Sequence, residues 1–263
     1  MDSAAKNAGD DQNLSHRLLQ ALTADKDELF QLMQEQSAEV LVTALRNPAI
    51  DEHHLLALLK RRGLPAELFR AFHSDKSLTE VYAVRLALVC HPETPVHIAQ
   101  ALLPHVYLLD LLKICTIPGI GPDQRLAAER AIIQRLPTQP LGTKLTLARR
   151  ATSAVAEALL REGLPPVVAA CLDNPRLKEG ALYQFITSAV ATAETISMVA
   201  RSGRWSGRPN IRLALLKNPR TPKVWFTLFL PGLPPAALRE VLATPRLTAA
   251  QKSLVRQAMG GAR

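Results

Sequence analysis

Apolar residues recur three and four places apart along most of the chain after residue 14, as in Leu55, Leu58 and Leu59, in Val84, Ala87 and Leu88, and in Ile211, Ala214 and Leu215. That spacing gathers them on one stripe of an α-helix, and almost none of the chain reads as a strand, whose apolar positions would alternate. A short helix pair with one apolar stripe cannot bury it alone, so each pair is expected to stack on its neighbours. The pattern predicts an all-α protein built from successive helix pairs.

Prolines and glycines punctuate the stripes. Corner prolines at Pro48, Pro92, Pro137, Pro175, Pro219 and Pro245 are spaced by 44, 45, 38, 44 and 26 residues. A residue before proline is driven out of the α region and proline cannot continue the hydrogen-bond ladder, so a helix must stop at each corner. In Asn47-Pro48, Asn174-Pro175 and Asn218-Pro219 the amide of Asn is suited to bond nearby backbone in the turn. Thr94-Pro95 and Thr221-Pro222 are predicted to cap and open the following helix. Gly63-Leu64-Pro65, Gly163-Leu164-Pro165 and Gly232-Leu233-Pro234 are predicted to end one helix in a left-handed turn and start the next. The spacing suggests a repeat of about 44 residues, with residues 145–160 as a degenerate copy. One α-solenoid domain is expected over residues 14–259, between a disordered polar tail at 1–13 and a frayed tail at 260–263.

The phrase from Arg212 through Asn218-Pro219 to Thr221-Pro222 resembles the armadillo/HEAT-type α-solenoids, and more closely the bacterial leucine-rich-repeat-variant repeats with an Asn-Pro corner. The resemblance covers roughly residues 38–259. It implies a right-handed α-α superhelix of about five to six helix-pair repeats, serving as a curved surface for protein or nucleic acid. One solenoid branch excises damaged DNA bases. Some variant-repeat proteins carry a cysteine-ligated cluster, for which Cys90, Cys115 and Cys171 supply no ligand set.

Composition narrows the chemistry. Aromatic residues make up 4% of the chain and apolar residues 48%, a balance that suits helix-on-helix packing. The three cysteines are far apart in apolar surroundings, as reduced core thiols would be, which points to a cytoplasmic location. The apolar stretch from about Ile98 to Ile120 is broken by Pro104, His105, Asp110, Lys113 and Pro118, so no membrane span is expected. The seven histidines show no two-turn ligand spacing, and no phosphate loop or nucleophile elbow is present. Accordingly no enzyme activity, metal or cofactor is expected, and the chain is read as a monomer.

Charge adds the sharpest functional hint. Residues 1–60 carry a net charge of −5, residues 61–200 of +3 and residues 201–263 of +11. A basic end of this kind points to an anionic partner. Its densest part, Arg201 to Asn210, combines Arg201, Arg204 and Arg208 with Gly203 and Gly207 and with Trp205, and Arg212, Lys217, Arg220 and Lys223 continue it. The glycines would let a backbone approach a ligand, and Trp205 would stack on a base or a guanidinium, or else fill a gap between helix pairs. Arg149, Arg150, Arg176 and Arg220 are candidates for a stripe along one face. The function expected is a non-catalytic scaffold whose basic end binds a protein with an acidic surface. A nucleic-acid binder is the alternative, less readily a base-excising enzyme, because the basic end offers only Glu240 as an acid.

Overall fold

The computed structural model describes residues 2–260, with side chains from residue 13 onward. The backbone of the tail expected to be disordered over 1–13 is helical from Asp2 onward as the start of α1, its side chains before Asn13 and the end beyond Gly260 lying outside the described residues. Among the described residues every regular element is a helix. The chain divides into two compact units, Met1–Ala131 and Ile132–Arg263.

The first unit contains α1 (Asp2–Thr23), α2 (Lys26–Leu32), α3 (Ala38–Ala44), α4 (Glu52–Leu58), α5 (Ala66–Ser74), α6 (Tyr82–Cys90), α7 (Val96–Leu102) and α8 (Leu108–Ile114). Helix α9 (Pro122–Arg135) carries the chain across the division. In the second unit follow α10 (Leu141–Arg150), α11 (Ser153–Leu160), α12 (Pro165–Leu172), α13 (Glu179–Thr187), α14 (Ala193–Arg201), α15 (Gly203–Ser206), α16 (Pro209–Lys217), α17 (Lys223–Phe229), α18 (Pro235–Leu242) and α19 (Ala249–Gly260).

Alternate helices pack on one another in two layers, the short α15 being passed over in the step from α13 to α16. In the first unit α1, α3, α5 and α7 follow one another in one layer and α2, α4 and α6 in the other. In the second unit α10, α12 and α14 stack in one layer, and α11, α13, α16 and α18 in the other. Each layer turns its apolar stripe inward. Leu29, Leu41, Leu58, Phe69, Leu88 and Leu111 are fully buried in the first unit, as are Val155, Leu182, Ile196, Leu215 and Phe226 in the second. Burying a side chain of this size contributes about 1.5–3 kcal/mol, so a core of this extent sustains helices that are mostly under ten residues long.

The two units repeat one another without a gap, 127 residues apart. Helix α5 (Ala66–Ser74) corresponds to α14 (Ala193–Arg201), α6 (Tyr82–Cys90) to α16 (Pro209–Lys217), and α7 (Val96–Leu102) to α17 (Lys223–Phe229), end for end. Much of the polar framework is repeated as well. Asn47 Nδ2 donates to the carbonyls of Ala21 and Ala24, both at 3.0 Å, and Asn174 Nδ2 to those of Ala148 and Ala151 at 2.8 and 2.9 Å. Gln124 reaches the carbonyls of His91 and Thr94, and Gln251 those of Pro219 and Thr221. Arg85 Nε donates to Thr79 O and Arg212 Nε to Ser206 O. Arg17 pairs with Glu35, and Lys144 with Glu162. Carbonyls at helix ends and in turns lack partners within a helix, and Asn47, Asn174, Gln124, Gln251, Arg85 and Arg212 supply donors to them from further along the chain.

This duplication explains the proline spacing. Pro48 to Pro92 and Pro175 to Pro219 are the same interval in two copies, and each encloses three successive α-helices or more, not one helix pair. Residues 145–160 are no degenerate copy: they form parts of α10 and α11, the counterparts of the end of α1 and of α2. The capping devices differ in detail from expectation. Thr94 and Thr221 do not cap the helix that follows; their hydroxyls donate backward to the carbonyls of Leu88 and Leu215. Gly63 and Gly163 hold the left-handed turn, at φ 72° and 69°, whereas Gly232 ends a 3-10 turn with no such conformation.

Candidate functional site

Helices α14, α15 and α16 position the basic segment. Trp205 lies in α15 and is fully buried, with Nε1 donating to Leu172 O at 3.1 Å. It occupies the place that Leu78 holds in the first unit, and so fills the gap between layers; no face of the indole is open to a base. The guanidiniums of Arg204 and Arg208 lie over the ring at 4.6 and 4.9 Å. Such stacking adds to the seal that holds the ring in the core. Gly203 and Gly207 adopt no left-handed conformation, so the backbone there places no special demand on glycine.

Most of the expected anion-binding cations already have partners. Arg204 donates to the carbonyls of Asn174 and Pro175 at 2.8 and 3.1 Å, closing the Asn-Pro turn that follows α12. Arg208 reaches Glu179 at 2.7 Å, and Asn210 reaches the other carboxylate oxygen at 3.1 Å. These two bonds, Arg208 first, hold the Glu179 carboxyl below its ordinary value against the opposing effect of burial. Arg212 lies 5.3 Å over Phe229 and Lys217 pairs with Glu240. Arg220 Nη1 donates to Ala189 O and Ala191 O at 2.6 and 3.0 Å. Arg201 and Lys223 are exposed and have no side-chain partner among the described residues. Of the proposed stripe, Arg176 donates to Arg150 O at 2.7 Å, while Arg220 reaches instead the turn between α13 and α14.

Helices α13, α16 and α18 leave an open groove of about 560 Å³, lined by Glu179, Tyr183, Gln184, Asn210, Lys217 and Glu240. Two smaller hollows continue it past Lys217 to Thr187, Arg220 and Arg246. Tyr183, 40% exposed, and Arg246 were not singled out by charge density or helical spacing. The signal that marks Arg246 is the duplication itself: Pro175-Arg176, Pro219-Arg220 and Pro245-Arg246 stand opposite Pro48-Ala49, Pro92-Glu93 and Pro118-Gly119.

No protein-family model, curated protein sequence or solved structure matches the chain. No helix among the described residues is long and apolar enough to cross a membrane, and none of their His, Cys, Asp and Glu side chains gather into a group able to hold a metal ion. Burial, the dominant cause each time, pushes the thiol of Cys90 up to about 11 and those of Cys115 and Cys171 up to about 12.

Proposed function

We propose that this chain is a non-catalytic adaptor, an armadillo/HEAT-like α-solenoid whose second unit holds a protein partner with an acidic surface. The observation that carries the proposal is the divergence of charge between two copies of one framework. The unit Met1–Ala131 has a net charge of −4 and the unit Ile132–Arg263 of +13, although their helices and buried polar bonds correspond. The shared framework does not require so high a charge, since the first copy is built without it, although Arg176, Arg204 and Arg220 also bond carbonyls that close turns of the second. A field of this sign on a surface with an open groove raises the association rate of an acidic protein and sets its orientation. The adaptor is proposed to act in the cytoplasm as a monomer.

A nucleic-acid binder is the second reading, favoured by the same charge. The burial of Trp205 counts against it, because the aromatic residue expected to stack on a base is committed to the core. Capture of partners from the native cell, with the full chain and with the double variant Arg201→Glu, Lys223→Glu, tests the proposal. Neither side chain has a partner to lose, so the variant should fold as the parent does while acidic proteins drop out of the captured set. An unchanged set would sink the proposal. Titration with duplex and single-stranded DNA over a range of salt decides the second reading, since phosphate contacts make affinity fall steeply with salt.

A further inference from the structure

The turns that close α13, α16 and α18 meet at a hollow of about 180 Å³ lined by Thr187, Ser188, Asn218, Arg220 and Arg246, with Ala189 and Pro219. We propose that this hollow binds a phosphate monoester, the phosphorylated side chain of a protein partner. This rests on the second unit being a protein-binding module and names the chemistry it recognises.

Donors are plentiful there and acceptors scarce. Arg246 is exposed and has no partner among the described residues, so all five of its N–H groups are available. Arg220 spends Nη1 on Ala189 O and Ala191 O and keeps Nε and Nη2 uncommitted. The hydroxyls of Thr187 and Ser188 already donate to the carbonyls of Tyr183 and Phe185, and Asn218 Nδ2 to Ile186 O, so the guanidiniums supply the contacts to a ligand. Neither this hollow nor the adjoining one of about 240 Å³ has a carboxylate in its lining. Two guanidiniums without a counter-charge match the charge of −1.5 to −2 of a phosphate monoester better than that of one carboxylate. The planar fork of arginine also fits phosphate oxygens two at a time.

The first unit shows that the arrangement is not required by the turn. There the counterpart of Arg220 is Glu93, which accepts from the amides of Gly63 and Leu64 at 2.8 and 2.9 Å, and the counterpart of Arg246 is Gly119. The polarity of the contact is reversed: Gly63 and Leu64 present amides to Glu93, where the second unit presents the carbonyls of Ala189 and Ala191 to Arg220. A protein partner is favoured over a nucleic acid by what surrounds the hollow. No aromatic side chain lines it for a base to stack on, and the one cation lining the adjoining groove among the described residues, Lys217, is already paired with Glu240, so a continuing phosphate backbone finds no uncommitted cation there. A peptide with a single phosphate meets neither obstacle.

The test uses the full chain and a fluorescein-labelled phosphoserine peptide with Gly and Ala flanks, followed by anisotropy at physiological ionic strength. The phosphorylated peptide should bind saturably and its unphosphorylated form should not. Arg246→Ala should weaken binding about tenfold or more, the effect of losing charge-assisted hydrogen bonds, with the melting temperature unchanged. Arg220→Lys, which keeps the charge and loses the fork, should weaken it as well. Equal binding of the two peptides, or indifference to Arg246→Ala, overturns the proposal even if the adaptor still captures protein partners. Tighter binding of a single-stranded oligonucleotide of about twenty residues, with a steep salt dependence, overturns it in favour of nucleic acid.

Discussion

Asn174 gives both hydrogens of its carboxamide to the end of helix α10, one of them to the carbonyl of Ala151 at 2.9 Å. Its Oδ1 accepts from Arg176 N at 2.8 Å, so one buried side chain ties the turn it sits in to the helix two places before. Asn47 does the same for the first unit. Asn174→Ala should leave two buried carbonyls and an amide unpaired and cost about 2–4 kcal/mol. Asn47→Ala should cost a similar amount in urea unfolding. Asn174→Asp should be no better than Ala, because a carboxylate would face two carbonyl oxygens.

Trp205 packs in the core, and that predicts an asymmetry among substitutions. Trp205→Ala should lower stability by about 3–5 kcal/mol, the cost of a large cavity. Trp205→Leu should cost distinctly less, because Leu78 fills the equivalent place in the first unit. Thermal unfolding of the two variants measures the difference; equal losses would show that the indole hydrogen bond to Leu172 outweighs the packing.

Acid should act on the Arg208–Glu179–Asn210 cluster. The carboxyl of Glu179 lies below its ordinary value of 4.5 in the folded protein, chiefly through the bond from Arg208 and then that from Asn210. A lowered folded value means that the stabilisation is present above pH 4.5 and is lost as pH falls through the folded value. Glu179→Gln should therefore flatten the acid limb of a stability profile below about pH 4.5 and leave it unchanged near neutrality in shape.

Thiol chemistry should be slow in the native state. With Cys90 raised to about 11 and Cys115 and Cys171 to about 12, little thiolate exists at mildly alkaline pH. Iodoacetamide should label native protein far more slowly than urea-unfolded protein, with Cys90 leading. Mass spectrometry of timed samples follows each cysteine separately; rapid native labelling of Cys171 would contradict its burial.

The helical class was legible from sequence because a three-and-four spacing of Leu and Ala is a local property, and proline stops a helix wherever it falls. The duplication was also written in the chain, at Asn47/Asn174, Pro92/Pro219, Thr94/Thr221, Pro104/Pro231 and Gln124/Gln251. A ruler laid on successive prolines hides it, since that ruler measures one interval twice and takes it for the repeat. The long period emerges once the polar partners of Asn47 and Asn174 are seen to be the same distance back in each copy.

What the sequence by itself determined is local: where helices stop, which stripe of each is apolar, and how far the net charge of the two copies has diverged. Tertiary structure alone decided how that charge is spent. An arginine has the same composition whether it faces solvent or a carbonyl, and the end of α10 and the turns after α12 and α13 have carbonyls that are met by residues from further along the chain. Arg176, Arg204 and Arg220 reach them. Packing of the layers closed Trp205 into the core and left Arg246 open beside Arg220, a juxtaposition 26 residues apart in sequence that no local pattern encodes.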